Sequence, residues 1–185
     1  MHIVVVCGTN RAGALSRLLA TEAAETYRAR DISVDLLDMA DLPETVLLGN
    51  AYKEPTQAVS DFVGRFLKSD GVVFVVPEYN GSFPGVLKLF VDMLPYPEGF
   101  DSRPCAFIGL AAGQFKGLRA VEHLQGVAGY RNAHMYPRRL FIGDSYSQFV
   151  DGKLSDDALT ERLNGQADGF LAFVRAIKNI SSAST

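Results

Sequence analysis

Short apolar runs alternating with helical stripes constrain this chain more than any other feature. The runs span residues 2–7, 34–37, 72–76, 105–110 and 140–142 and are rich in Val, Ile or Phe, as strands covered on both faces are. Stripes of helical period follow. Leu15, Leu18, Leu19 and Ala23 mark the first; Val59, Phe62, Val63, Phe66 and Leu67 the second; Val86, Leu87, Phe90 and Leu94 the third; Leu118, Val121, Leu124 and Ala128 the fourth. Leu159, Leu163, Phe170, Val174 and Ile177 mark the last, with Ser155 as expected N-cap and Asp156 and Asp157 in the first turn. Strands and helices in this alternation are βαβ units, which build a doubly wound parallel sheet. Such a sheet binds ligands outside the carboxyl ends of its strands at a topological switch point. The loops after the first, third and fourth strands are therefore the candidate site.

A length of 185 residues with 48% hydrophobic residues suits one domain. We expect it to span residues 1–180, with the small polar residues 181–185 as a frayed tail. The 18 basic and 21 acidic residues are dispersed, for a net charge of -3 without a basic block, which argues against nucleic acid as a partner. Cys7 and Cys105 lie in apolar runs without CxxC spacing, as fits a reducing cytoplasm. No apolar run approaches the roughly 20 residues of a membrane span, so no membrane partner is expected. His2, His123 and His134 are isolated in sequence, and no metal-ligand spacing is present.

The first candidate loop reads CGTNRAGALSRLLA from Cys7. A helix beginning just after a parallel strand offers free N–H groups and a positive dipole end, hence an anion site. Thr9, Asn10 and Ser16 are hydrogen-bond donors there, and Arg11 adds a fixed charge. Spacing separates the known anion loops. Asn10 stands where the dinucleotide fingerprint needs its second glycine, and the Gly-Lys-Ser/Thr of a P-loop is absent. The position six residues after Cys7, where a Cys–Arg phosphatase places its arginine, is Gly13. A phosphate cradle without a nucleophile remains, beside the plainer reading of an ordinary capped turn.

The second loop is PEYNGSFPG, from Pro77. Pro77 takes the chain out of the sheet, Gly81 and Gly85 permit close approach or positive φ, and Pro84 suits a first helical position. Glu78, Tyr79, Asn80 and Ser82 present polar groups suited to reading the edge of a planar ring system.

The segments GTNRAGALSRLLA, PEYNGSFPGVLKLFVDML and GQFKGLRAVEHL, in that order, resemble the three signature segments of the NADPH-dependent FMN reductases, a flavodoxin-like family of flavin oxidoreductases. The similarity covers nearly the whole chain, and the middle segment is its most specific part. The resemblance implies a flavodoxin-like α/β fold, a doubly wound five-stranded parallel sheet in the order 2-1-3-4-5, with FMN bound noncovalently. It implies that Thr9, Asn10, Arg11, Ala14, Leu15 and Ser16 form the phosphate loop, and that Pro77, Glu78, Tyr79, Asn80, Gly81 and Ser82 lie against the ring. Ala112 and Gly113 would follow the flavin edge, with Lys116, Gly117 and Arg119 towards the nicotinamide nucleotide or a partner subunit. Hydride would pass from NADPH or NADH through FMN to a small acceptor such as a flavin, quinone or azo compound. Backbone N–H groups of residues 79–82 would stabilise the negative charge on the reduced ring. A noncatalytic flavodoxin-type carrier or a flavin-binding redox sensor is the alternative.

The chain departs from the family pattern in places. Ala14 stands where the family often has a phosphate-binding Ser, Lys116-Gly117 where it favours Gly-Gly, and Leu89 and Met93 where many relatives carry Asn and Trp. A homodimer or homotetramer is implied, with Phe83, Leu89, Met93, Tyr96, Phe100, Tyr130 and Tyr136 as the expected apolar face.

Overall fold

The apolar runs become β1 (His2–Cys7), β2 (Ser33–Asp38), β3 (Gly71–Pro77) and β4 (Pro104–Leu110), which pair in parallel in the order β2-β1-β3-β4. The computed structural model describes the backbone of residues 1–183 and the side chains of residues 1–180. The fifth position is filled by two short strands, β5 (His134–Met135) and β6 (Leu140–Ile142), both parallel to β4. The expected order stands, but its last strand is broken at residues 136–139.

Alternation along the central strands sorts their side chains into two cores. Val4, Val6, Val72, Phe74, Val76 and Phe107 face α2 (Gln57–Leu67), α3 (Gly85–Met93) and α4 (Leu118–Tyr130). Ile3, Val5, Val73, Val75 and Ile108 face α1 (Leu15–Arg28) and α5 (Asp157–Ala183). Because successive side chains point to opposite faces, a fully apolar run is what two cores require. Aromatic rings fill the first core: Phe74 stacks on Phe107 at 5.7 Å and on Phe100 at 6.1 Å, and Phe66 meets Phe90 edge-on at 5.5 Å. In the second core the small Ala20, Ala23 and Ala24 let α1 lie close to the sheet.

Local chemistry shifts several expected boundaries. Asp156, not Ser155, caps α5: its Oδ1 accepts from the N–H groups of Ala158 at 2.8 Å and Leu159 at 3.2 Å. Ser155 instead donates its hydroxyl to the Gln148 carbonyl at 3.2 Å. Pro84 sits at the N-cap of α3 rather than inside it, and Gly85 is helical without positive φ. Pro77 is still paired, opposite Leu110, as the last residue of β3. Phe149–Val150 and Lys153–Leu154 form a hairpin, β7 and β8, that the apolar pattern does not reveal. Helix α5 extends to Ala183, into the expected tail, and residues 184 and 185 lie outside the described residues.

Both cysteines are free thiols enclosed by the cores. Burial, with Asp38 adding to it at Cys7, pushes each up to about 12 from the ordinary 9.0. At pH 8 both thiols are then held protonated in the fold. The folded protein should leave Ellman's reagent almost unreacted at pH 8, and unfolding should release both thiols. The unfolded thiols ionise near their ordinary value while the folded ones do not, so stability should fall as pH rises above 9.

Candidate active site

The carboxyl ends of β1, β3, β4 and β6 deliver their loops to one edge of the sheet, where they are tied in sheet order. The Gly8 N–H donates to the Val75 carbonyl at 2.9 Å, and the Glu78 N–H to the Leu110 carbonyl at 3.1 Å. The Ala111 N–H donates to Ile142 at 3.0 Å, and the Ser145 N–H returns to Ala111 at 3.4 Å. A side-chain bond closes the set: the Thr9 and Tyr79 hydroxyls lie 2.9 Å apart, and Thr9 Oγ1 also accepts the Arg11 N–H at 3.2 Å. These ties wall a cavity of about 230 Å³.

The expected site residues divide around it. Arg11, Ala14, Leu15, Ser16, Pro77, Glu78, Tyr79 and Ala112 line the cavity. Thr9 is buried and positions Tyr79 rather than facing the cavity, and Asn10 is exposed outside the wall. Asn80, Gly81, Ser82 and Gly113 also lie outside the wall. The fourth loop brings Ser145 and Tyr146 to the cavity. Reading the sequence missed both, because the expected site stopped at the fourth strand; the signal available was the Gly143-Asp144 pair that ends the last apolar run.

The PEYNGSFPG loop owes its shape to a tight turn. Tyr79 and Ser82 exchange backbone hydrogen bonds at 2.8 and 3.1 Å, and Asn80 and Gly81 between them take φ of +52° and +78°. Asn-Gly suits these left-handed positions. The turn consumes the Tyr79 and Ser82 N–H groups, so of the amides expected to stabilise a reduced ring only those of Asn80 and Gly81 remain without a partner among the described residues. Ser82 is held from α4, its hydroxyl 2.9 Å from His123 Nδ1. His123, isolated in sequence, is thus a tether in space.

The third segment is anchored to the sheet by close packing. Gly117 takes φ of +84°, and a Cβ there would meet the Leu110 nitrogen at 2.5 Å, so the start of α4 rests directly on β4. The Arg119 guanidinium stacks on Phe115 at 4.0 Å. Lys116 lays its stem along Gly143 and faces a neighbouring hollow, not the cavity.

Two buried atoms give the cavity its chemistry. Ser16, 1% exposed, leaves its Oγ without a partner, and Glu78 likewise leaves Oε2. Helix α1 starts at this wall with Ala14 as N-cap, no side-chain cap and no acidic residue in its first turn. Its positive end is therefore free to meet an anion.

A family model described as NADPH-dependent FMN reductase matches residues 1–148. The chain belongs to that family. Among relatives of this reductase, a 2-hydroxy-1,4-benzoquinone reductase of a Burkholderia species is 30% identical, over 95% of this chain and 97% of its own. An NAD(P)H:(acceptor) oxidoreductase of Paracoccus denitrificans superposes with a TM-score of 0.79 at 24% identity, covering 95% of this chain and 97% of the other. A flavodoxin of Bacillus cereus superposes with a TM-score of 0.62 at 16% identity, covering 93% and 98%, and shows the flavodoxin-like fold. FMN is the reductase's cofactor and NAD(P)H its electron donor.

The cavity fits an FMN group on its own features: a hydroxyl donor beside an uncapped helix start at one wall, and a carboxylate acceptor suited to a ring N–H at another. Glycine at 117 underlies the third loop. Gly117→Ala should cost about 1–3 kcal/mol through overpacking and left-handed strain, read as a Tm fall of several degrees in thermal unfolding.

Proposed function

We propose that this reductase holds FMN in the four-loop cavity and carries two electrons from NAD(P)H to a quinone-class acceptor. The observation that carries the reading is the pairing of an uncapped α1 start and the unpartnered Ser16 hydroxyl with the unpartnered Glu78 carboxylate across one cavity. When bound, FMN supplies the hydride and electron chemistry, which no side chain here offers. Ser16, the first amides of α1 and Arg11 at the rim hold the phosphate; Ala14 offers only backbone. Glu78 reads an N–H edge of the ring. Tyr79, fixed by Thr9, shapes the wall, and the Asn80 and Gly81 amides are donors for negative charge gathering on the ring.

A quinone is the acceptor favoured by the name of the Burkholderia relative, which covers nearly the whole chain. The whole chain acts as one domain in the cytoplasm, in keeping with its two reduced, buried thiols. Among the described residues no helix is long and apolar enough to cross a membrane. The reductase forms a homodimer through α3 and α4. Phe100 and Tyr136, two of the seven residues expected there, are buried in the cores, while Tyr96 and Tyr130 are 71% and 84% exposed and Leu89 and Met93 are half-buried.

Purified protein should show flavin absorption bands that bleach within seconds of anaerobic NADPH or NADH addition and return on adding a benzoquinone. Bands that persist would refute the enzyme reading. Ser16→Ala should weaken FMN binding about tenfold, as loss of a hydrogen bond to a charged group does, measured by fluorescence titration of the apoprotein.

A further inference from the structure

The break in the fifth strand builds a second cavity. Between Met135, opposite Cys105, and Leu140, opposite Ile108, this strand has four residues where β4 has two. Tyr136 turns inward onto Phe170 at 5.8 Å and Phe173 at 5.6 Å, and Gln166 of α5 patches the gap. Gln166 Nε2 donates to the Phe107 carbonyl at 3.0 Å and the Arg138 carbonyl at 2.9 Å, restoring partners to backbone groups beside the break. Its other amide atom, Oε1, is buried without a partner in a side chain only 5% exposed.

A cavity of about 390 Å³ opens at the break, lined by Arg138, Arg139, Leu140, Arg162, Gly165 and Gln166. Arg139 is fixed there: its guanidinium lies 5.2 Å over the Phe141 ring and donates to Gln125 at 3.1 Å, with Glu122 at 3.6 Å. Arg138 and Arg162 are exposed, and neither has an ion-pairing carboxylate among the described residues. Three arginines border one hollow of a chain whose net charge is -3, and positive charge gathered in a hollow favours an anion there. Their planar forks match phosphate oxygens. The free Gln166 acceptor calls for an O–H or N–H donor next to that anion, and the volume exceeds that of a bare phosphate.

We propose that this cavity is a second ligand site, distinct from the flavin cavity, which binds a phosphate monoester carried on a hydroxylated molecule. Arg138 and Arg162, the two without an ion-pair partner among the described residues, hold the phosphate, Arg139 adds its charge from its place beside Glu122 and Gln125, and Gln166 Oε1 accepts from a hydroxyl. Such a group comes from either of two sources. One is the ribose 2′-phosphate of NADPH: Arg162 also lines the hollow that holds Lys116 and Asp144, next in sequence to Ser145 and Tyr146 of the flavin cavity. The other is a free sugar phosphate. Only the first source rests on the proposed activity.

The test is calorimetric titration of the FMN-loaded protein with adenosine 2′-monophosphate and with ribose 5-phosphate. The Arg138→Ala/Arg162→Ala variant, which alters exposed side chains only, is titrated beside it with a matched thermal melt. Saturable binding of at least one compound is expected, weakened about tenfold or more in the variant, with NADH-driven flavin reduction unchanged. A variant KM that rises for NADPH but not for NADH assigns the site to the donor's phosphate. Ribose 5-phosphate binding with both KM values unchanged assigns it to a free organic phosphate. No saturable heat with either compound, equal affinity in the variant, or a variant that changes subunit association while binding both compounds normally would overturn the proposal. Failure of NADH to bleach the flavin would count against the proposed activity alone, since the calorimetry is read independently of turnover.

Discussion

The contact on which the site depends is a single ladder bond past the end of a strand, from the Gly8 N–H to the Val75 carbonyl. It carries the β1–β3 pairing into the first loop and brings that loop so close to α3 that a Cβ on Gly8 would lie 2.9 Å from the Val75 oxygen and 3.1 Å from Leu87. Parallel pairing sends all carboxyl ends to one edge, and right-handed crossovers put the helix starts there too. With β1 and β3 locked in register, α1 begins beside the Pro77 loop, and the Thr9–Tyr79 bond has the reach it needs.

The polar atoms left bare in this cavity oppose folding. A buried hydroxyl or carboxylate without a partner costs about 1–3 kcal/mol, more for the charged group. Such a cost is tolerated where a ligand repays it, so occupancy and stability are linked through mass action. The well-satisfied polar groups lie elsewhere, in the bidentate Asp35–Arg65 pair at 2.7 and 2.8 Å and in Arg103, which binds the carbonyls of Ser69 and Gly99. Arg65 holds the Asp35 carboxyl below the usual carboxylate range, as a structural ion pair does.

The sheet was legible because every buried strand had to be apolar on both faces, and the residues of runs 2–7 and 72–76 admit no other use. The two ligand loops were legible because polar residues and glycines follow those runs directly. What composition could not show was which donors the fold would spend internally. Thr9 and Ser16 are alike on paper, yet one is tied to Tyr79 and the other is left bare. Gly81 and Gly85 are alike too, but only Gly81 follows an Asn in a left-handed turn. The β7–β8 hairpin escaped the apolar pattern because its strands have two residues each; Asp151-Gly152, with φ of +49° and +80°, was its only signal. The fifth strand was seen only where it is buried. The exposed β5 and the bulge after it have no periodicity to read.

That broken strand has a bearing on how the molecule behaves among its own copies. An intact outer strand would offer a continuous row of unpaired amides and carbonyls, a template for another chain to extend the sheet. Here the outer edge is two residues, an inward-turned Tyr136, a Pro137 without an amide proton, two arginines and three more residues. A strand arriving from solution finds no run of hydrogen-bonding groups long enough to grip, and the charge at the gap repels a like edge. The same irregularity that opens a pocket thus guards this margin of the sheet against self-association into fibrils.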